Sequence, residues 1–120
     1  MAPLRKVNLA EKLSSFEEAF GPRIIGRYNG DKIQVTKVRG SFIWHAHQNT
    51  DDLILVLDGK LVVETREGIV ELGPGELVVV PAGVEHRTKA DPEAHIFVVE
   101  PAGTLNTGDS GEVPAPEVEI

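Results

Sequence analysis

From residue 23 onward, the chain is a succession of short segments rich in Val and Ile, each bounded by a turn signal. The turn signals are NGD at 29–31, DG at 58–59, REG at 66–68, GPG at 73–75, PAG at 81–83 and DPE at 91–93. Strand-length segments broken by turns at this spacing favour a sandwich or a barrel. The spacing therefore predicts an all-β domain over residues 23–102.

Residues 55–63, LVLDGKLVV, carry a hairpin signal. The Asp-Gly pair suits the positive φ angles of a type I′ turn, which joins neighbouring antiparallel strands. We therefore expect the strands on either side of this turn to pair with each other.

The segment NLAEKLSSFEEAFG, residues 8–21, predicts a short amphipathic helix before the first strand. Asn8 can cap its N-terminus, Glu11 completes a capping box, and Gly21 with Pro22 ends it. A single domain of 120 residues then has three parts. They are an N-terminal helical segment at 1–22, the β domain at 23–102 and an acidic, Pro- and Gly-rich extended tail at 103–120.

Charge and composition limit the classes of binding partner and the cellular location that we expect. The formal net charge is −7, and no cluster of Lys and Arg provides the cationic stripe that a nucleic acid or an anionic membrane requires. The chain has no cysteine, so thiolate chemistry and disulfides are excluded. We find no signal-peptide core and no run of about 18 apolar residues, so we expect a cytoplasmic protein.

Two segments, LILVL at 53–57 and LVVVP at 77–81, are apolar at every position rather than at alternate positions. Strands of this kind need cover on both faces of their sheet. Either the docked helix or a second subunit can supply that cover. The second alternative predicts a homodimer with twofold symmetry.

The residues best suited to chemistry are three histidines and two aspartates. On a strand, positions i and i+2 point to the same face, so His45 and His47 can converge on one ion. His86 follows a buried strand in PAGVEHRTKA, where a third imidazole can turn inward. Imidazoles suit zinc, copper, iron and nickel, and a carboxylate from Asp51 or Asp52 adds a donor that suits iron and manganese.

These residues resemble the two sequence motifs of the cupin superfamily, small single-domain type. The first motif is matched by Gly40, His45, His47, Asp52 and Gly59, and the second by Gly75, Pro81, Gly83 and His86. Two positions depart from the family pattern. The usual glutamate is replaced by Asp52, with a first gap one residue short, and the usual asparagine is replaced by Ala90.

The resemblance implies a cupin jelly roll with a short N-terminal helix. It also implies one divalent metal ion per chain (Fe, Mn, Zn, Ni or Cu), held by His45, His47, Asp52 and His86. Strand parity places Asp52 rather than Asp51 on the side of Ile54, and Asp52 ligates directly or through a water. The expected function is that of a metal-dependent oxygenase or isomerase acting on a small molecule. The alternative is a non-catalytic module that binds a small ligand.

Overall fold

Over residues 3–120, which the computed structural model describes, the chain folds into one helix and eight strands. Residues 1 and 2, at the start of the predicted segment 1–22, lie outside the described residues. The elements are α1 (Leu9–Ser14), β1 (Arg23–Tyr28), β2 (Asp31–Ser41), β3 (Asp52–Asp58), β4 (Leu61–Thr65), β5 (Gly68–Leu72), β6 (Leu77–Val80), β7 (His86–Pro101) and β8 (Val118–Glu119). The all-β prediction is confirmed.

The long strand β7 joins the two halves of the barrel. Its first part pairs with β4, and β4 pairs with β5. Its second part pairs with β3 on one side and β2 on the other. The outer strands β6 and β1 continue this second sheet beyond β3 and β2, and the first part of β7 also meets the end of β2.

The predicted hairpin at residues 55–63 is wrong. In the described structure β3 and β4 each pair with β7, at different stretches of that strand, and not with each other. The turn is nevertheless a glycine turn: Gly59 has φ +79°, and a Cβ there would lie 2.3 Å from the carbonyl oxygen of Glu93. Gly59 thus carries the chain closely over β7 as it passes from one sheet to the other.

The helix is shorter than predicted. Asn8 caps it as expected, its Oδ1 accepting from the Glu11 N–H at 3.0 Å, but the helix ends at Ser14. The hydroxyls of Ser14 and Ser15 donate to the carbonyls of Glu11 and Lys12, so serine side chains occupy acceptors near the helix end. Within residues 3–120 we find no helix with the length and apolar character needed to cross a membrane.

The inner face of the second sheet is built in cross-strand layers. One layer holds Val56, Ile96 and Thr36, and the next holds Ile54, Val98 and Gln34. These apolar members belong to the main core, whose buried residues are Val38, Ile54, Val56, Leu61, Val63, Leu72, Val80, Ala90, Ala94, Ile96 and Val98. The third layer, at the end of the sheet, contains Lys32 and Glu100. The core therefore becomes polar toward one end of the barrel.

The outer face of the same sheet is also apolar. Cross-strand pairing sets out two rows, which together we call the apolar face: Val79, Leu53, Val99 and Ile33, then Leu77, Leu55, Phe97 and Val35. The N-terminal segment covers one end, where Leu13 and Phe16 pack with Val35. At the other end Leu77 and Val79 stay 55% and 47% exposed. The helix accounts for only part of the cover that these strands need.

The C-terminal tail is anchored to the barrel rather than free. Thr107 is buried, and β8 pairs in parallel with the start of β1. Nearer the polar end of the barrel, Lys32 donates to the Thr104 carbonyl and forms an ion pair with Glu117. Backbone pairing and one buried ammonium group thus hold a segment that has few apolar residues of its own.

Candidate metal centre

The two histidine-bearing segments meet through backbone hydrogen bonds. The His45 N–H donates to the His86 carbonyl at 3.0 Å, and the His86 N–H donates back at 2.9 Å, forming a β-bridge. Two residues further along, the Gly83 N–H donates to the His47 carbonyl at 2.9 Å. The second segment is thereby held in register with the first, so the relative positions of the three histidines are set by the backbone.

The three imidazoles converge inside the barrel. Their ring centroids lie 4.4 Å apart for His45 and His86, 5.0 Å for His45 and His47, and 5.8 Å for His47 and His86. Each offers a nitrogen within 4.8 Å of the other two, and all three residues are buried. The structure therefore brings together the three histidines selected from the sequence.

Hydrogen bonds from the ring nitrogens orient two of these imidazoles. The Nδ1 of His45 lies 2.9 Å from the Ile43 carbonyl oxygen, and the Nδ1 of His86 lies 2.9 Å from that of Val84. A carbonyl oxygen only accepts, so each Nδ1 carries a proton, and Nε2 is then the nitrogen that a neutral imidazole offers as a lone pair. Metal-binding histidines are commonly fixed in this manner.

The two aspartates have different places. Asp52 is buried inside the barrel, and its Oδ2 lies 3.4 Å from the Nε2 of His47. Asp51 is exposed, and its Oδ1 accepts from the Ala82 N–H at 2.9 Å, which supports the turn before His86. Strand parity therefore identified the inward aspartate correctly. Its other oxygen, Oδ1, is buried and has no hydrogen-bond partner.

Glu100 was missed by the sequence analysis. It lies buried at the end of β7, where its Oε1 accepts from the Gln34 side chain at 2.9 Å. Residues 95–100, HIFVVE, alternate outward and inward, and Glu100 has the parity of Ile96 and Val98. The signal was thus present: an acidic residue at an inward position of a strand.

The potential ligands form two groups that share one histidine. The first group is His45, His47 and His86, and the second is His47, Asp52 and Glu100. In each group the candidate atoms lie within 4.8 Å of one another. Two atoms bound about 2.1 Å from one ion are separated by roughly 3 to 4 Å, so atoms within 4.8 Å of one another need only a small shift to share an ion.

Burial favours neutral side chains at this site. Desolvation, with the nearby His45 and His86, lowers the pKa of His47 to about 4. Desolvation also lowers the pKa of His86. For Asp52, desolvation first and then the adjacent Glu100 raise the pKa to about 9. At neutral pH the metal-free site therefore holds His47 and His86 as neutral imidazoles, the form that binds a metal.

The site opens into a cavity of about 70 Å³ inside the barrel. One wall is formed by the histidines and the two inward acids, and the others include Phe20, Phe42, Val38 and Ile96. Phe20 and Phe42 stack with ring centroids 4.9 Å apart, and Phe42 meets His45 edge-on at 5.3 Å. Since one water needs roughly 10–15 Å³, the cavity has room for several waters or one small ligand.

The C-terminal tail supports the histidine segment. Asp109 pairs with Ala46 on both backbone groups: its Oδ1 accepts from the Ala46 N–H at 2.9 Å, and its own N–H donates to the Ala46 carbonyl at 3.0 Å. Its Oδ2 accepts from Gln48 at 2.8 Å. Because Ala46 stands between His45 and His47, the tail helps to fix both rings.

Comparison with known proteins supplies a family. The profile described as Cupin domain matches residues 32–100. The crystal structure of a cupin-2 domain containing protein from Shewanella frigidimarina is 37% identical, with a TM-score of 0.78, over 79% of this chain and 93% of that chain. This similarity confirms the predicted jelly roll.

Two curated proteins are also similar. YdbB of Bacillus subtilis is 25% identical over 84 residues, which are 69% of this chain and 74% of YdbB. Acireductone dioxygenase of Rhodopseudomonas palustris is 38% identical over 47 residues, which are 36% of this chain and 28% of that enzyme. The similarity to the dioxygenase thus covers only part of either protein.

Proposed function

The chain belongs to the cupin family, and from that premise we propose that its barrel is a mononuclear metal centre acting on a small molecule. The proposed ligands of one divalent ion are His45, His47, Asp52 and His86. The observation that carries the proposal is the convergence of three buried imidazoles, two of them held by Nδ1 hydrogen bonds to backbone carbonyls, beside a buried aspartate oxygen that has no partner.

The donor set fits a divalent ion. Buried polar atoms normally have a partner, and a cation beside Asp52 would provide one for its unpaired Oδ1. Such an ion would supply Lewis acidity and open coordination positions for a chelating substrate. The chain's own contribution is to fix the imidazoles through the Ile43 and Val84 carbonyls and to enclose the ligand within apolar walls.

The reaction class that we propose is mononuclear oxygenation, and the similarity to acireductone dioxygenase supports it. Isomerisation at the same centre is the alternative within enzyme chemistry, since cupins host both and the fold does not select between them. The discriminating experiment is metal analysis of protein purified without a histidine tag, followed by oxygen-consumption measurements with candidate chelating substrates. Metal-bound protein that consumes no oxygen with any of them would remove the oxygenase assignment.

The small cavity favours a second candidate, a non-catalytic module that binds a small ligand. A volume of about 70 Å³ holds an ion with waters or one compact ligand. Under this alternative, metal and ligand bind and no turnover follows. The cytoplasmic location and the absence of nucleic-acid and membrane partners remain predictions of the sequence.

We also propose that two copies of the chain pair through their apolar faces. The rows of this face carry no charged side chain, and Leu77 and Val79 remain exposed beside the partly buried Leu53 and Leu55. A symmetric pair brings the same surface together from both copies, so an uncharged apolar surface meets its like without repulsion. The predicted homodimer would thereby bury the part of the apolar face that the helix leaves exposed.

A further inference from the structure

One acid beside the histidines is not explained by the proposed ligand set. His47, Asp52 and Glu100 form a second group of potential ligand atoms within 4.8 Å of one another, and all three residues are buried. Asp52 belongs to the motif by which the chain resembles cupins, whereas Glu100 lies outside both motifs. The structure therefore places an additional carboxylate where an ion bound by His47 would lie close to it.

The two acids are neighbours through strand pairing. Leu53 of β3 pairs with Val99 of β7, which sets Asp52 across from Glu100 on the inner face. They are 7% and 5% exposed. Two carboxylates so close and so buried are both charged only when a nearby cation offsets their mutual repulsion.

The protein's own cation, the Lys32 ammonium group, offsets the negative charge of Asp52 and Glu100 only in part. Lys32 pairs with Glu100 across β2 and β7, but its Nζ lies 3.8 Å from Glu100 Oε1. Its shorter contacts go to the tail, at 2.7 Å to the Thr104 carbonyl and 3.1 Å to Glu117 Oε1. One ammonium group is thus shared between two acids, Glu100 and Glu117, and it has no ion pair with Asp52.

The side chain of Glu100 is oriented for a further contact. Gln34 and Lys32 both approach Oε1, so these contacts fix one oxygen of the Glu100 carboxylate. Across from it, Asp52 Oδ1 is buried without a partner in a side chain that is nine-tenths buried. A buried oxygen without a partner, beside a carboxylate fixed by its own contacts, is a position that a bound cation would satisfy.

We propose that Glu100 is a further ligand of the barrel's cation, acting beside Asp52 and His47. This inference rests on the proposed metal centre and extends its ligand set to three imidazoles and two carboxylates. With neutral imidazoles, two carboxylates balance the charge of one divalent ion. Asp52 stands where cupins usually have a glutamate, which is longer by one methylene. Glu100 supplies an acidic side chain of that length from another strand.

Cobalt(II) binding tests the proposal, because its visible absorption reports the ligands as well as the affinity. The variant is Glu100→Gln, which keeps the shape of the side chain and removes its charge. The control is Glu117→Gln, which removes an acid from the same lysine but lies outside the cavity. We expect Glu100→Gln to bind Co²⁺ at least about tenfold more weakly and with a changed spectrum. The control should match the wild type in both.

The outcomes are distinct. Wild-type affinity in Glu100→Gln, or weaker binding with an unchanged spectrum, would overturn the assignment and leave the histidine centre intact. A wild-type protein that binds no Co²⁺ would overturn the proposed function together with this inference. Should Glu100→Gln fail to fold by circular dichroism, Glu100→Asp serves instead, since it keeps the charge but withdraws it by one methylene. An unchanged spectrum in that variant would count equally against the proposal.

Discussion

His45 and His86 face each other across a two-bond β-bridge, with their ring centroids 4.4 Å apart. Each ring is further oriented by the carbonyl two residues before it, Ile43 for His45 and Val84 for His86. The backbone therefore holds the two imidazoles before any ion binds. A site arranged in this way loses little conformational freedom on binding, which favours affinity.

The stability of the metal-free protein should fall as the pH rises from about 7 to 9. The pKa of Asp52 is raised from 3.8 to about 9, so in this range the folded state keeps a proton that the unfolded state has released. The folded state then loses stability with rising pH, by at most about 1.4 kcal/mol per pH unit. Thermal unfolding at pH 7 and pH 9 should show the lower Tm at pH 9. Asp52→Asn should reduce the difference, and an undiminished difference would refute this explanation.

Below pH 6.5 the titration of His47 has the opposite effect on the stability of the metal-free protein, which falls as the pH falls. Its pKa is lowered from 6.5 to about 4, so the unfolded state binds a proton there that the folded state does not. Its contribution to stability is therefore lost as the pH falls from about 6.5 to 4. In the Asp52→Asn background this acid-side loss should be seen without the opposing slope.

Metal binding should release about one proton at pH 7.5, chiefly from Asp52, because an acid with a pKa near 9 must ionise in order to ligate. Calorimetry in two buffers of different ionisation enthalpy measures the number of protons released. In Asp52→Asn the release should disappear. Equal release in the two proteins would mean that Asp52 does not bind the ion directly.

Gly108→Ala should destabilise the protein and weaken metal binding. Gly108 has φ +54°, and a Cβ there would lie 2.4 Å from the Ala46 carbonyl oxygen and 3.0 Å from the His45 ring. We expect a loss of about 1–3 kcal/mol in the free energy of unfolding. The control is Gly111→Ala, which has φ +81° but no atom within 4 Å of the new Cβ. Equal effects of both substitutions on metal affinity would exclude a role of the tail in positioning His45.

The sequence predicted the local features more successfully than the long-range pairing. Turn signals and Val-rich segments identified the strands, and parity along residues 51–57 identified Asp52 as the inward acid. The Asp-Gly turn at 58–59 did not indicate that β3 and β4 would each choose β7 as a partner, because the partner of a strand is decided by tertiary packing.

There is also a physical reason why the sequence analysis did not identify Glu100 and Asp109. Glu100 lies on β7, outside the motifs on which the ligand set was based, and only its alternation with Val98 marked it as inward. Asp109 supports Ala46 through contacts between segments far apart in sequence, and no local pattern reports them. Both residues reach the site only because segments that are distant in sequence fold onto one another.

The homodimer can be tested by light scattering coupled to gel filtration. The wild type should give about twice the chain mass of 13.0 kDa at micromolar concentration. Leu77→Glu places a charge on the apolar face and should give a monomer. Ile69→Glu is the control, because Ile69 is 61% exposed but lies on β5, outside that face. A monomeric wild type would rule out this assembly at the concentrations tested.

The central claim is that His45, His47 and His86 hold a divalent ion, and metal content after dialysis tests it most directly. The variant is His47→Ala, and the control is His95→Ala, whose histidine lies on the outer surface 2.7 Å from Glu93. We predict about one ion per chain in the wild type and the control, and at least tenfold weaker binding in His47→Ala, because two imidazoles leave the ligand set incomplete. The same metal content and affinity in all three proteins would contradict the account.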